Sequence, residues 1–249
     1  LAKVALVITL VASIGTAISG DIQGKIMTEQ QPMKMAAAEA LYNSSQPASF
    51  SLFTIGSLNG SKEEFSIRVP RLLSFLATGS FDGKVDGINQ VQAQEVAKFG
   101  AGNYRPNVPI TYWSFRLMIG FGLLAALVAV IGLWVMRRRR IPTSKWFYRI
   151  AVLSVATPFL ANSMGWIFTE MGRQPWVVYG VMTTSDGVSS TGLATVLTSL
   201  IAFTLLYGVL AVVNLKLMLR YIRKGPDPLP DDHDDISRDE PEPALAFSY

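Results

Sequence analysis

The residues that could do chemistry in this chain are few, and most of them lie beside long apolar runs. The stretch Gly165-Trp166-Ile167-Phe168-Thr169-Glu170-Met171-Gly172-Arg173-Gln174-Pro175-Trp176 carries a carboxylate where such a run ends. An ionisable side chain at the end of a membrane span is costly in hydrocarbon, so Glu170 calls for a cation, a proton or a metal. The alternative is an interfacial pair with Arg173, three residues on. Arg116 sits in an otherwise uncharged run and must find an anionic partner or reach for the interface. Met118, two residues on, offers a soft thioether that can complete a haem iron, although a methionine in an apolar helix ordinarily fills space. A third set, Lys34 and Glu39, lies in the polar segment Gln31-Pro32-Met33-Lys34-Met35-Ala36-Ala37-Ala38-Glu39. On an ideal helix two residues five apart diverge by about 140°, so one small molecule would not easily touch both.

Other chemistries are excluded. The chain has no cysteine, which removes disulfides, thiolate ligands and iron–sulfur clusters. Its one histidine, His233, lies in a charged tail, so the apolar runs contain no imidazole. No Walker loop, dinucleotide glycine fingerprint, HExxH pair or catalytic triad occurs, and nothing points to nucleic acid.

The elements that must position these residues are membrane helices. Hydrophobic residues make up 50% and charged residues 16% of the 249, with a mean hydropathy of +0.32, too apolar for an ordinary soluble domain. Four segments are long enough to span a bilayer, which takes about 20 apolar residues: 1–19, 112–135, 147–170 and 188–218. The expected class is an all-α integral membrane protein. The chain opens on Leu1 inside an apolar run with no basic leader region, as a cut membrane helix would. Positive charge gathers in the 136–146 loop and its flanks (Arg137, Arg138, Arg139, Arg140, Lys145, Arg149) and after the last span (Lys216, Arg220, Arg223, Lys224). The positive-inside bias makes both cytoplasmic, so 20–111 and the 171–187 loop fall outside. The arginine run serves as a topology anchor, with anionic lipid as its alternative partner. Arg116 and Met118 then begin an inward helix and Glu170 ends an outward one, at similar depth.

The outer stretch is electrically neutral, with eight basic and eight acidic residues. Met33–Tyr42 is rich in helix formers and follows Pro32, which suits a helix start. Residues 51–58 and 65–69 read as strands or turns, punctuated by Asn59 and Gly60. The 219–249 segment ends in an acidic, proline-rich tail that reads as solvated and disordered.

Three motifs in order resemble subunit I of the cytochrome bd quinol oxidases, in its short-loop form and over its C-terminal part: QPxKxAAxE at Gln31–Glu39, FRxMxG at Phe115–Gly120 and GWxxxExGRQPW at Gly165–Trp176. The resemblance covers residues 1–225. It implies that Met118 is an axial ligand of haem b558 and that Arg116 serves that haem's surroundings, a bidentate task suited to guanidinium. It implies that Glu170 ligates iron in the high-spin pair, haem b595 and haem d, with b595 favoured. Trp166 would lie between haems, Arg173 would clamp a propionate, and Gln174 and Trp176 complete the motif. Lys34 and Glu39 would act in quinol oxidation.

The resemblance further implies a quinol:oxygen oxidoreductase in the bacterial cytoplasmic membrane. It would take ubiquinol or menaquinol outside, reduce O2 to water with cytoplasmic protons, build a proton gradient without pumping and pair with subunit II. The family's histidine ligands belong to helices that precede this stretch, so the chain alone would be incomplete. A rival of another class is a non-enzymatic membrane subunit or ion-coupled transporter with Arg116 and Glu170 as a structural pair.

Overall fold

The computed structural model describes residues 2–56, 62–137 and 144–225. Four helical stretches in it are long and apolar enough to cross a membrane. The first, α1 (Ala2–Gln30), runs well past the expected end at residue 19. Neither Gly20 nor Gly24 stops it, and an i,i+4 ion pair between Asp21 and Lys25 (2.7 Å) supports the extension. It ends only before Pro32, whose ring disfavours helical geometry in the residue ahead of it. At about 1.5 Å per residue α1 is longer than the roughly 30 Å hydrocarbon core, so it carries the chain out of the apolar layer.

The segment that follows α1, expected to lie outside, is a folded unit built on α2 (Pro32–Ala38). This helix is shorter than the Met33–Tyr42 expected: Glu39 closes it and Ala40 takes a left-handed conformation, φ 45°, which turns the chain. The alanines of α2 let neighbouring backbones approach. One core joins Met33, Ala36, Ala37 and Ala40 to Ile88 and Val91 of α4 (Ile88–Phe99) and to Val108 and Tyr112. A second joins Met35, Leu41 and Ala48 to Leu73 and Ala77 of α3 (Leu72–Thr78) and to Val85. Neither α3 nor α4 was expected from the sequence. Strands β1 (Phe50–Gly56) and β2 (Glu63–Val69) form an antiparallel hairpin; its connection, with Asn59 and Gly60, lies outside the described residues. Gly87 is a close approach: a Cβ there would lie 2.3 Å from the Asn43 carbonyl carbon.

Helix α5 (Val108–Val135) starts earlier than position 112 because Asn107 caps it, its side chain accepting from the Ile110 N–H at 3.1 Å. The expected third span is two helices, α6 (Lys145–Ser154) and α7 (Thr157–Arg173). Pro158 has no N–H to continue the ladder, and the Thr157 hydroxyl donates to the Ser154 carbonyl at 2.7 Å in the break. Together they make one apolar stretch, Lys145–Arg173. Helices α5 and α7 run antiparallel. Moving along α5 from Thr111 through Phe115 to Met118, the facing residue on α7 runs back from Gly172 through Phe168 to Gly165. Beyond α7, β3 (Trp176–Val178) and β4 (Met182–Thr183) pair as a small hairpin.

Residues 189–225 belong to a separate compact unit. Its helix α8 (Leu193–Lys224) is apolar for most of its length, carries Arg223 and Lys224 in its last turn, and ends at Gly225, φ 72°. Arg138, Arg139 and Arg140, and the acidic tail with His233, lie outside the described residues.

Candidate functional site

The N-terminal end of α5 and the C-terminal end of α7, roofed by α2, bring most of the singled-out residues into one region. Arg116 finds its anionic partner in Glu39: its Nη2 donates to Glu39 Oε2 at 2.6 Å. Both side chains are largely withdrawn from solvent, at 10% and 2% exposure. The Ser51 N–H donates to the same carboxylate oxygen at 3.2 Å. Ser51 Oγ also meets Tyr112 Oη at 2.8 Å and Thr54 Oγ1 at 2.6 Å. The guanidinium lies against the rings of Phe50 (4.5 Å), Tyr112 (4.9 Å) and Phe115 (5.3 Å), where cation–π attraction offsets part of its lost hydration. Burial raises the Glu39 pKa, Arg116 and the Ser51 N–H pull it down, and it stays above the ordinary carboxylate value.

The rival reading's Arg116–Glu170 pair is therefore wrong. Arg116 is held by Glu39, and Glu170 pairs with Arg173 at 2.5 Å. The i,i+3 spacing on the last turn of α7 makes the second pair local, whereas the first needs the fold of the outer segment to bring α2 onto α5.

Lys34 and Glu39 are parted, as helical geometry requires. Glu39 turns to α5. Lys34 lies along α7, its stem against the bare backbone of Gly172 and its ammonium 4.8 Å from the centre of the Phe168 ring. A Cβ at Gly172 would lie 3.1 Å from both Lys34 Cγ and Thr111 Cγ2, so this glycine sets how closely α2 and α5 approach α7. Burial lowers the Lys34 pKa, the charge on Arg173 lowers it further, and Glu170 opposes them.

Met118 points at α7. Its sulfur would lie 3.0 Å from a Cβ placed on Gly165, so the first glycine of the GWxxxE stretch leaves room for the thioether. Trp166 is exposed and Glu170 half-exposed on this chain. Among the described residues no three His, Cys, Asp or Glu side chains converge as a metal cage. The chain instead presents single donors, a thioether and a carboxylate, of the kind that ligate a haem from one side. Arg116 Nε and Nη1 and Arg173 Nε are buried without partners. Such orphaned donors suit the carboxylates of a prosthetic group, so the residues present fit a haem.

A narrow cleft opens beside this group, lined by Gln31, Lys34, Tyr104, Arg173, Trp176 and Tyr179 among others. Tyr104 and Trp176 stack at 5.5 Å and 7°, with Phe99 edge-on to Trp176 at 4.9 Å. Behind the cleft the buried Glu95 accepts from Tyr179 Oη at 3.1 Å. Sequence reasoning missed Ser51, Tyr112, Glu95 and Tyr179. For Glu95 a signal was present: Ile88, Val91 and Glu95 follow helical spacing and share the buried face of α4. For Ser51 and Tyr112 none was, because their meeting depends on the tertiary fold.

Long apolar helices, an ion pair buried at their ends and single soft and hard donors on facing helices define a membrane protein suited to a redox prosthetic group. Comparison with known proteins narrows this class. The model of the family "Cytochrome bd terminal oxidase subunit I" matches residues 1–226, and the chain belongs to that family. It is 42% identical to the cytochrome bd ubiquinol oxidase subunit 1 of Bacillus subtilis (strain 168), over 94% of this chain and 50% of that one. It is 34% identical to the putative cytochrome bd menaquinol oxidase subunit I of the same organism, over 89% and 48%. Among solved structures, the bd oxidase from Geobacillus thermodenitrificans matches with a TM-score of 0.72 at 30% identity, over 87% of this chain and 48% of that one. The chain thus spans about half the length of the curated relatives it matches. Oxidases of this family carry haem.

Proposed function

We propose that this chain is the part of a cytochrome bd-type quinol oxidase subunit I that oxidises membrane quinol at the outer face and helps hold the haems that reduce O2 to water. The observation that carries the reading is the convergence, at one end of the antiparallel α5/α7 pair, of the Glu39–Arg116 pair, Lys34 and the Met118 thioether against Gly165.

Met118 would hold the iron of haem b558 through its thioether, and Glu170 would hold iron in the high-spin pair, b595 in preference to d. Arg116 and Arg173 would offer their spare N–H groups to haem carboxylates, and Trp166 would pack between the haems. When bound, the haems supply the electron transfer and the oxygen chemistry. This chain's residues supply ligation, charge and proton handling. Burial leaves Lys34 able to give up a proton more readily than a solvated lysine, and the raised pKa of Glu39 makes it a better proton acceptor than a solvated carboxylate. The two act from different sides of the outer end.

The basic ends at Arg137, Lys145 and Arg149 and at Arg223 and Lys224 face the cytoplasm of a bacterial inner membrane. Quinol protons are released outside, and the protons for water are drawn from inside, so turnover builds a gradient without pumping. Subunit II is the partner, and the histidine ligands come from the remainder of subunit I.

The test is quinol-dependent oxygen uptake by the full-length subunit assembled with its partner. Lys34→Ala and Glu39→Ala are each expected to lower kcat/KM for quinol on the order of tenfold, about 1.4 kcal/mol of transition-state stabilisation, with haem content kept. Normal quinol kinetics in both variants would refute their role.

A further inference from the structure

The β1/β2 hairpin is turned inside out for a hairpin in water. An antiparallel pair ordinarily packs its apolar face inward and leaves its polar face to solvent. Here Ser51 and Thr54 are buried, and Ser66 and Arg68 are partly buried. Arg68 donates to the Ala40 carbonyl at 3.0 Å and pairs with Glu63 at 2.6 Å. A register shift between Ser51 and Phe53 lets Ser51 and Thr54, three apart, both point inward. The apolar side chains face out. Phe53 opposes Ile67 and Ile55 opposes Phe65, so the four share one face, and each is between 37% and 54% exposed. A contiguous apolar patch of this kind marks a surface that meets something other than water.

Two contacts fix the depth of this face. The Phe50 ring at the start of β1 lies 4.5 Å from the Arg116 guanidinium, and Phe53 meets Trp113 edge-on at 5.2 Å. Helix α5 has 28 residues, about 42 Å at about 1.5 Å per residue, against a hydrocarbon core of roughly 30 Å. The edge of the core therefore falls within about two turns of Val108, at the level of Trp113 and Arg116, where tryptophan is favoured. Trp113 also joins the hairpin to the apolar side of α5: it, Leu117, Leu124 and Ile131 are exposed at helical spacing. That side lies about 200° round the helix from Thr111, whose methyl faces Gly172 of α7. Glu170 and Arg173, the partly exposed charges of α7, are thus on one side of α5 and the apolar face is on the other.

We propose that the hairpin is seated in the membrane, with Phe53, Ile55, Phe65 and Ile67, beside Trp113, set among the phospholipid acyl chains at this end of α5. Lipid is the occupant because the face is apolar throughout and runs without a break into the membrane-spanning side of α5, whereas the charged and ligand-bearing side chains open on the α7 side. The seating bears on the buried pair. The Ser51 N–H donates to Glu39 at 3.2 Å and the Phe50 ring covers Arg116, so the bilayer holds β1 against Glu39 and Arg116 from outside. Only the membrane-spanning helices are needed for this, and it stands whether or not the chain oxidises quinol.

The experiment uses the complete oxidase in nanodiscs of phosphatidylcholine and phosphatidylglycerol. Cysteine, absent from this chain, is introduced singly as Ile55→Cys, Phe65→Cys and Ile67→Cys in an oxidase otherwise free of it, spin-labelled, and read by power-saturation EPR. Each label should be mobile and several-fold more accessible to dissolved oxygen than to a water-soluble nickel chelate. Greater accessibility to the nickel chelate would put the face in water and overturn the seating. Labels immobilised and shielded from both would mean that a protein surface, the remainder of the subunit or a partner, covers the face, and would overturn it equally. The unsubstituted oxidase supplies a second measurement that no folding defect can confound. Phosphatidylcholine carrying a diazirine in its acyl chain should, on irradiation, attach to residues 50–56 and 63–69. Adducts on α5 with none on either strand would contradict the proposal.

Discussion

At the scale of single residues, the Glu39–Arg116 pair is the most consequential contact. Arg116 lies in the first turns of an apolar helix, and without its carboxylate it would be a buried, uncompensated charge. Breaking one partner of such a pair costs about 3–5 kcal/mol. Glu39→Ala and Arg116→Leu should each lower the thermal stability of the assembled oxidase by that order. The double variant Glu39→Ala/Arg116→Leu should be less damaging than the two losses added, since neither charge is then left alone. Calorimetric or fluorescence melts of the three variants check this, and simple additivity would mean that the pair is not coupled. Arg116 was visible in the sequence as a charge in need of a partner. Its partner was not, because Glu39 lies on a distant short helix and its own spacing from Lys34 says nothing about α5.

At the scale of elements, two glycines decide how closely helices meet. Gly165 stands against the Met118 sulfur at a would-be Cβ distance of 3.0 Å. Alanine there improves intrinsic helix propensity by about 1 kcal/mol but obliges Met118 to shift. Gly165→Ala should therefore leave the melting temperature near or above that of wild type while changing the low-spin b-haem spectrum. An unaltered spectrum would show that Met118 has freedom the close contact denies it. Gly87→Ala is harsher: the added carbon would meet the backbone of Asn43 and Ser44 at 2.3–2.6 Å, with no flexible side chain to give way. It should destabilise the outer segment and make it sensitive to limited proteolysis; wild-type resistance would contradict the packing described. The long helices were legible because apolar length is a strong signal. The α6/α7 break, the early start of α5 and the extension of α1 were not, since each turns on a local device, Pro158, Asn107 or the Asp21–Lys25 pair. Helices α3 and α4 escaped notice because such short segments owe their helicity to tertiary burial more than to propensity.

At the scale of the whole molecule, the chain presents one proposed iron donor on each of two facing helices, Met118 on α5 and Glu170 on α7. The Glu39–Arg116 and Glu170–Arg173 pairs, the aromatic cleft and Met118 gather at one end of the α5/α7 pair, which couples the segment built on α2 to these long helices. Family motifs in the sequence pointed to these donors, while the arrangement that parts Lys34 from Glu39 and seats Met118 on Gly165 came from the fold. The central claim is that Met118 and Glu170 serve different irons. The reduced-minus-oxidised absorbance spectrum of the full-length oxidase tests it directly, in wild type, Met118→Leu and Glu170→Ala. Wild type should show b-haem bands beside a red-shifted d-haem band. Met118→Leu should disturb only the low-spin b signal, and Glu170→Ala the high-spin signals together with oxygen reduction. Spectra unchanged by either substitution, or no haem signal in a well-folded wild-type protein, would contradict it.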